Sequence, residues 1–179
     1  RLTFFEIDPT VERIARDRRH FSFLERCGVG MPVVIGDARL TLGEVPAGGF
    51  DYLVIDAFSS DAVPVHLLTR EALELYLSRL APNGLLALHI SNRHMDLLSV
   101  AGATAATIPG VEVRVVNDTK GLGGMDGTRS RVVFLAKSPS AIAGVGGWAD
   151  AKKAPTDQAS PWTDDYSDVF SAIWRNYRD

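Results

Sequence analysis

The sequence predicts an α/β protein built on a doubly wound, mostly parallel β-sheet, with an antiparallel hairpin towards its carboxyl end. Three observations carry that prediction. Short apolar runs recur at Leu2 to Phe5, Val33 to Ile35, Tyr52 to Ile55, Leu85 to Ile90 and Val111 to Val116. They show little polar alternation, as strands buried on both faces of a parallel sheet require. Segments with helical periodicity separate them. Three successive runs end in an acid, Glu6, Asp37 and Asp56, and in open α/β sheets ligands bind in the crevice outside the carboxyl ends of the strands.

In chain order, the first strand runs out into Glu6-Ile7-Asp8-Pro9. Asp8 as N-cap and Pro9 at the first helical position start a helix to about Arg19, with Val11, Ile14 and Ala15 as its apolar stripe. The strand Val33 to Ile35 closes in Gly36-Asp37-Ala38, and a short helix through Leu40 and Leu42 leads to the turn Pro46 to Gly49. The strand Tyr52 to Ile55 ends at Asp56 and opens into a loop with Ser59, Ser60, Asp61 and Pro64. A helix from Thr69 to Leu80 follows, with Leu73, Leu77 and Leu80 on one face, and Pro82-Asn83-Gly84 ends it. The strand Leu85 to Ile90 runs out into Ser91-Asn92-Arg93-His94, and a small-residue helix spans Asp96 to Ala106. The strand Val111 to Val116 then pairs antiparallel with Arg131 to Ala136 across residues 117 to 128, whose Gly and Asp read as a mobile turn. Residues 138 to 160 shift to Ala, Gly, Pro and Lys, a linker-like composition. After Pro161 to Tyr166 comes a helix with Val169, Phe170, Ile173, Trp174 and Tyr177 on one side, a stripe expected to pack on the body or on a partner.

Composition narrows the function classes. The 179 residues are 46% hydrophobic and 23% charged, enough for one well-buried domain. A formal net charge of -3 gives no electrostatic case for gripping nucleic acid, and Arg13, Arg16, Arg18 and Arg19 read as a solvated helix face. The single cysteine, Cys27, forms no internal disulfide, and no Cys/His cluster has zinc spacing. This suits a reducing compartment. No apolar run reaches the roughly 20 residues needed to cross a bilayer. The expectation is therefore a cytoplasmic location, either free or as the soluble domain of a membrane-anchored protein, with no membrane contact by this chain itself.

The acids have two readings. Glu6 at a strand end can accept hydrogen bonds from the hydroxyls of a ribose, and Asp37 can accept from an exocyclic adenine amine while the Ala38 N–H donates to the ring. The same residue types also cap turns and helices. His89 can likewise be a ligand contact or a histidine satisfied at the sheet end.

Phe5 to Pro9, Ile35 to Ala38 and Phe50 to Asp56 resemble the second, third and fourth strand motifs of the class I S-adenosylmethionine-dependent methyltransferase fold, specifically those of the spermidine synthase family. Pro64, Leu67, Leu68, the helix Ala72 to Leu80, Asn83 to Leu86 and the tail motif Thr163-Asp164-Asp165-Tyr166 continue the resemblance. It covers most of residues 1 to 136, and similar domains occur fused to membrane segments in bacteria. The resemblance implies a partial domain over residues 1 to 137, lacking the family's first strand, with its glycine-rich loop, and its amino-terminal hairpin. It implies decarboxylated S-adenosylmethionine as co-substrate, without a metal, and a small-molecule amine as acceptor. Glu6 would hold the ribose and Asp37 and Ala38 the adenine, while Asp56 would orient and deprotonate the amine. Asp61 and His89 would contact the substrate.

The chain departs from that pattern in two places. Four residues separate Asp56 from Asp61 where the family usually has two, and His89 stands where the family commonly has glutamine. The expected activity of the complete protein is aminopropyl transfer, with this stretch alone inactive. Methyl transfer from S-adenosylmethionine to a small molecule is the alternative within the enzymes, and a non-catalytic nucleoside- or polyamine-sensing domain the alternative outside them. The missing first strand would leave two unpaired inner edges, so an exchanged segment, a partner chain or a rearranged sheet is expected to fill the gap, and a homo-oligomer is the expected assembly.

Overall fold

The computed structural model describes residues 2–27, 30–57, 64–118, 130–147 and 151–178. The chain divides into two compact units, Arg1–Val45 and Pro46–Asp179.

The first unit holds β1 (Phe4–Glu6), α1 (Pro9–Ala15), α2 (Phe23–Cys27), β2 (Val33–Ile35) and α3 (Ala38–Gly43). β1 and β2 run parallel, with Glu6 opposite Ile35. α1 begins as its sequence predicts: the Asp8 carboxylate accepts the Thr10 N–H at 2.7 Å and Pro9 occupies the first turn. It ends at Ala15, short of Arg19, and its stripe is not buried, since Val11 and Ile14 are each nearly half exposed. The short α2 carries too brief a pattern to be recognised as a helix from periodicity. Its Leu24, with Leu42 of α3, is buried.

The second unit is one five-stranded sheet in the order β3-β4-β6-β5-β7, with helices against it. β3 (Phe50–Ile55) runs parallel to β4 (Leu80–His89). β4 pairs antiparallel with β6 (Ser130–Ala136), β6 with β5 (Glu112–Asp118), and β5 with the two-residue β7 (Ala151–Lys152). The expected α/β fold and its carboxyl-terminal hairpin are therefore present. Asn117 and Asp118 extend β5, while the rest of the stretch read as a mobile turn, from residue 119, lies outside the described residues.

β4 has strand neighbours on both sides, and its Leu86, Ala87 and Leu88 are buried. Successive strand residues face opposite sides of a sheet. Ala87 packs with Phe134 and Ala136 of β6 against Ile142 and Val145 of α6 (Pro139–Gly146). α4 (Arg70–Arg79) lies on β4, with Ala72, Leu73, Tyr76 and Leu77 as its buried stripe. The Thr69 hydroxyl caps it by accepting the Ala72 N–H at 3.3 Å. α5 (Leu97–Ala106) contacts both α4 and β6.

Further findings differ from expectation. β3 is not buried on both faces: Leu53 and Ile55 are buried, but Tyr52 and Val54 are 54% and 50% exposed. The physical reason is coverage, because among the described residues α6 packs chiefly on β4, β5 and β6. Within the linker-like stretch, α6 forms because Ser138 accepts the Ala141 N–H as N-cap, Pro139 opens the first turn, and Ile142 and Val145 find the sheet.

The tail is tied to the helices by specific bonds. The Trp162 N–H donates to Thr104 of α5 at 3.0 Å, and its carbonyl accepts the Arg70 N–H of α4 at 2.8 Å. The Thr69 hydroxyl donates to Asp164 at 2.7 Å, placing a carboxylate by the amino end of α4, where the helix dipole favours it. The final helix, α7 (Val169–Arg178), docks through buried Ala172, the Arg175 to Asp96 ion pair and the Asn176 to Arg93 hydrogen bond. Only part of the predicted stripe lies on this face: Val169 and Ile173 are half-buried, while Phe170, Trp174 and Tyr177 are exposed. Among the described residues no helix is long and apolar enough to cross a membrane.

α5 is made of small residues because it is enclosed almost all round, with eight of its residues buried. At Gly102 an added Cβ would fall 1.9 Å from the Pro155 carbonyl oxygen. Gly102→Ala should therefore lower stability by about 1–3 kcal/mol as backbone is forced apart. Gly144→Ala is the control, since it lies in exposed helix with nothing within 4 Å of its added Cβ. It should be neutral or stabilising by up to about 1 kcal/mol. Urea unfolding of the two variants measures both, and equal effects would show the α5 packing argument wrong.

Candidate active site

In the first unit, the parallel pairing of β1 and β2 brings Glu6 and Asp37 to neighbouring strand ends, with the Gly36 N–H donating to the Glu6 carbonyl at 2.9 Å. Gly36 has φ +144, a backbone that L side chains rarely adopt, and a Cβ there would meet the Thr41 side chain at 2.9 Å. The turn it permits aims Asp37 into the start of α3. Asp37 Oδ1 accepts the Arg39 and Leu40 N–H groups at 2.9 and 3.1 Å, and Ala38 is the first helical residue. Glu6 Oε1 accepts the Asp8 N–H at 2.9 Å, which steadies the turn into α1. Both acids are thus partly engaged by their own backbone. A carboxylate has two oxygens and about four lone-pair sites, so the single bond at Glu6 Oε1 is compatible with further acceptance. Glu6 also lines a mostly apolar groove, together with Phe4, Val11, Phe23 and Val33.

In the second unit, Ile55 of β3 stands opposite Leu88 of β4, so the next residues, Asp56 and His89, emerge side by side. His89 Nδ1 lies 2.6 Å from Asp56 Oδ1. Asp56 is open to solvent with 68% of its side chain exposed, while His89 is 34% exposed. Two residues on, and therefore on the same face, Ser91 Oγ lies 2.8 Å from His89 Nε2. That hydroxyl also accepts the Arg131 N–H at 2.8 Å, just beyond the point where the Ile90 N–H donates to the Arg131 carbonyl at 2.9 Å. Side chain thus replaces backbone as the partner of β6 where the ladder with β4 ends.

Of the residues expected at the site, Glu6, Asp37 and Ala38 share the first unit, and Asp56 and His89 touch in the second. Asp61 lies outside the described residues. Ser91, which the sequence places at a strand's carboxyl end without a chemical role, joins them through His89, and its position two residues after His89 is the signal for that contact. Among the described residues, no three His, Cys, Asp or Glu side chains are grouped to hold a metal ion.

Over 83 residues, 45% of its length, the chain is 36% identical to the polyamine aminopropyltransferase of Vibrio vulnificus, of which this covers 26%. A probable spermidine synthase of Corynebacterium glutamicum shares the fold with a TM-score of 0.63 and 19% identity, over 92% of this chain and 64% of that one. The Thermotoga maritima spermidine synthase gives 0.54 and 16%, over 94% and 55%. A spermidine synthase solved with the transition-state analogue AdoDATO gives 0.52 and 15%, over 94% and 54%. No protein-family model matches the chain. The fold is that of the spermidine synthases, the sequence is spermidine synthase-like, and the chain spans less than two thirds of each of these proteins.

The cap at Asp37 can be weighed directly. Asp37→Ala should destabilise the protein by about 1 kcal/mol through loss of the helix N-cap, and Asp37→Asn should retain most of that, because asparagine caps about as well. Urea unfolding midpoints test it, and a loss as large with asparagine as with alanine would remove capping as the residue's structural role.

Proposed function

We propose that this chain is the core of a polyamine aminopropyltransferase, which moves the aminopropyl group of decarboxylated S-adenosylmethionine to a small diamine and releases methylthioadenosine. The observation that carries the reading is the solvent-open Asp56 carboxylate at the carboxyl end of β3, held by His89. A diamine arrives as a cation, with an amine pKa near that of lysine, about 10.4. Asp56 is proposed to bind the ammonium and accept one proton. The freed nitrogen lone pair then forms a bond to the propyl carbon next to the sulfonium, and the carbon–sulfur bond breaks with its electron pair passing to sulfur. The proton on Asp56 leaves to solvent. No covalent enzyme intermediate is needed, and most of the acceleration comes from holding nitrogen, carbon and sulfur in line.

Glu6 is proposed to hold the ribose hydroxyls. Asp37 and the Ala38 N–H are proposed for the adenine; a first-turn N–H has no intrahelical acceptor, which leaves it suited to a ring nitrogen. Asp61 is proposed as a second contact for the cationic substrate. The aminopropyltransferase likeness over 83 residues supports the reaction type.

In the complete natural protein, Asp56→Asn should cut methylthioadenosine release by about 10²-fold or more, the scale of losing a general base, with nucleoside binding nearly unchanged. Glu6→Gln should mainly weaken nucleoside binding, by about 1.5–3 kcal/mol, the usual worth of hydrogen bonds to a charged group. Calorimetric titration with decarboxylated and ordinary S-adenosylmethionine, beside a release assay with putrescine, measures both. Preference for the ordinary form with methyl transfer would make the protein a methyltransferase. Tight binding without turnover across a panel of amines would make it a sensor, a reading that His89 in place of the family's glutamine favours.

A further inference from the structure

We infer that His89 is a positioning residue for Asp56 and not a substrate ligand: Asp56, His89 and Ser91 form one hydrogen-bonded relay that holds the imidazole as its Nδ1–H tautomer. The inference rests on the aminopropyltransferase reading for its role in turnover, but the relay itself stands on geometry alone.

The tautomer follows from the partners at each nitrogen. At 2.6 Å, Nδ1 and Asp56 Oδ1 must have a proton between them, because two facing lone pairs would repel at that distance. The carboxylate is acceptor only, so Nδ1 donates. At the other side of the ring, Ser91 Oγ already accepts the Arg131 N–H from β6. With that N–H on one lone pair, the hydroxyl can still donate its own hydrogen to Nε2, 2.8 Å away, and we assign it that direction. Every group is then satisfied by a neutral ring: the Arg131 N–H donates to Ser91, the Ser91 hydroxyl to His89 Nε2, and His89 Nδ1–H to Asp56.

Two consequences bear on chemistry. An ammonium substrate has only N–H donors and needs acceptors, yet the sole acceptor of the neutral ring, Nε2, is taken by Ser91. His89 therefore reaches the amine through Asp56. By engaging Oδ1, it fixes the plane of an otherwise exposed carboxylate and presents Oδ2 as the oxygen that meets the amine. Partners behind metal-ligating residues matter by about 10- to 100-fold, and the same scale is expected for a partner that orients a reacting carboxylate. The order of atoms also matches that of a Ser-His-Asp nucleophile relay. Here the Ser91 oxygen is pinned by the end of the β4–β6 ladder, which argues for a bracing role and makes nucleophilic reactivity an outcome to be tested.

The test uses the intact natural protein with 15N-labelled histidine. Long-range proton–nitrogen correlation at neutral pH should show His89 protonated at Nδ1 and bare at Nε2, and Asp56→Ala should release that preference. A wild-type ring protonated at Nε2, whether or not Nδ1 is protonated too, overturns the relay, whatever the enzyme's activity proves to be. In turnover, His89→Ala should lower kcat by about 10- to 100-fold with little change in KM for the amine. His89→Gln should recover most of that loss, since its amide N–H can still donate to Asp56. A rise in KM with kcat unchanged would return His89 to direct substrate contact. Labelling of Ser91 by a fluorophosphonate probe would make it a nucleophile and likewise overturn the proposal. If wild-type protein releases no methylthioadenosine while the Nδ1–H tautomer is present, the reaction assignment falls and the relay stands.

Discussion

The parallel pairing of β3 with β4 is the constraint on which the second unit's site depends. Its register sets Ile55 beside Leu88 and so delivers Asp56 and His89 to adjacent positions at the strand ends. A slip of one residue would turn one of the two side chains to the other face of the sheet. The register is protected by burial on β3: Leu53 and Ile55 are buried while Tyr52 and Val54 are about half exposed, so such a slip would turn the two buried residues to the open face. Hydrophobic packing, which is not directional, thereby enforces a directional contact between two polar groups.

β4 itself is held in place from several sides. β6 closes its other edge, α4 and α6 pack on it, and the tail ties α4 to α5 through Trp162, which is fully buried. The tail motif Thr163 to Tyr166 is explained by this duty. Thr163 and Tyr166 exchange backbone hydrogen bonds at 2.8 and 3.2 Å, and Asp164 meets the Thr69 hydroxyl and donates its N–H to Glu71 at 3.0 Å. These contacts seat the tail against the start of α4.

Much of the fold was legible because its causes are local. Asp8 with Pro9, Thr69 and Asp96 are helix caps whose partners lie two or three residues away, and their residue types announce them. The apolar runs of β2 to β6 were readable for the same reason. The short α2 and the linker-like stretch were not: α6 is helical because Ile142 and Val145 have a sheet to bury against, and composition carries no record of that. The open face of β3 was missed because Tyr52 and Val54 are apolar whether or not a helix covers them.

By itself the sequence determined the α/β alternation, the caps and the residue types at the strand ends, since each is decided by neighbours along the chain. Tertiary structure alone decided which groups meet. Asp56 and His89 are 33 residues apart, and Ser91 and Arg131 are 40 apart. Their contacts exist only because strand order and register bring distant segments within 3 Å, and no periodicity in the chain encodes a distance across the sheet.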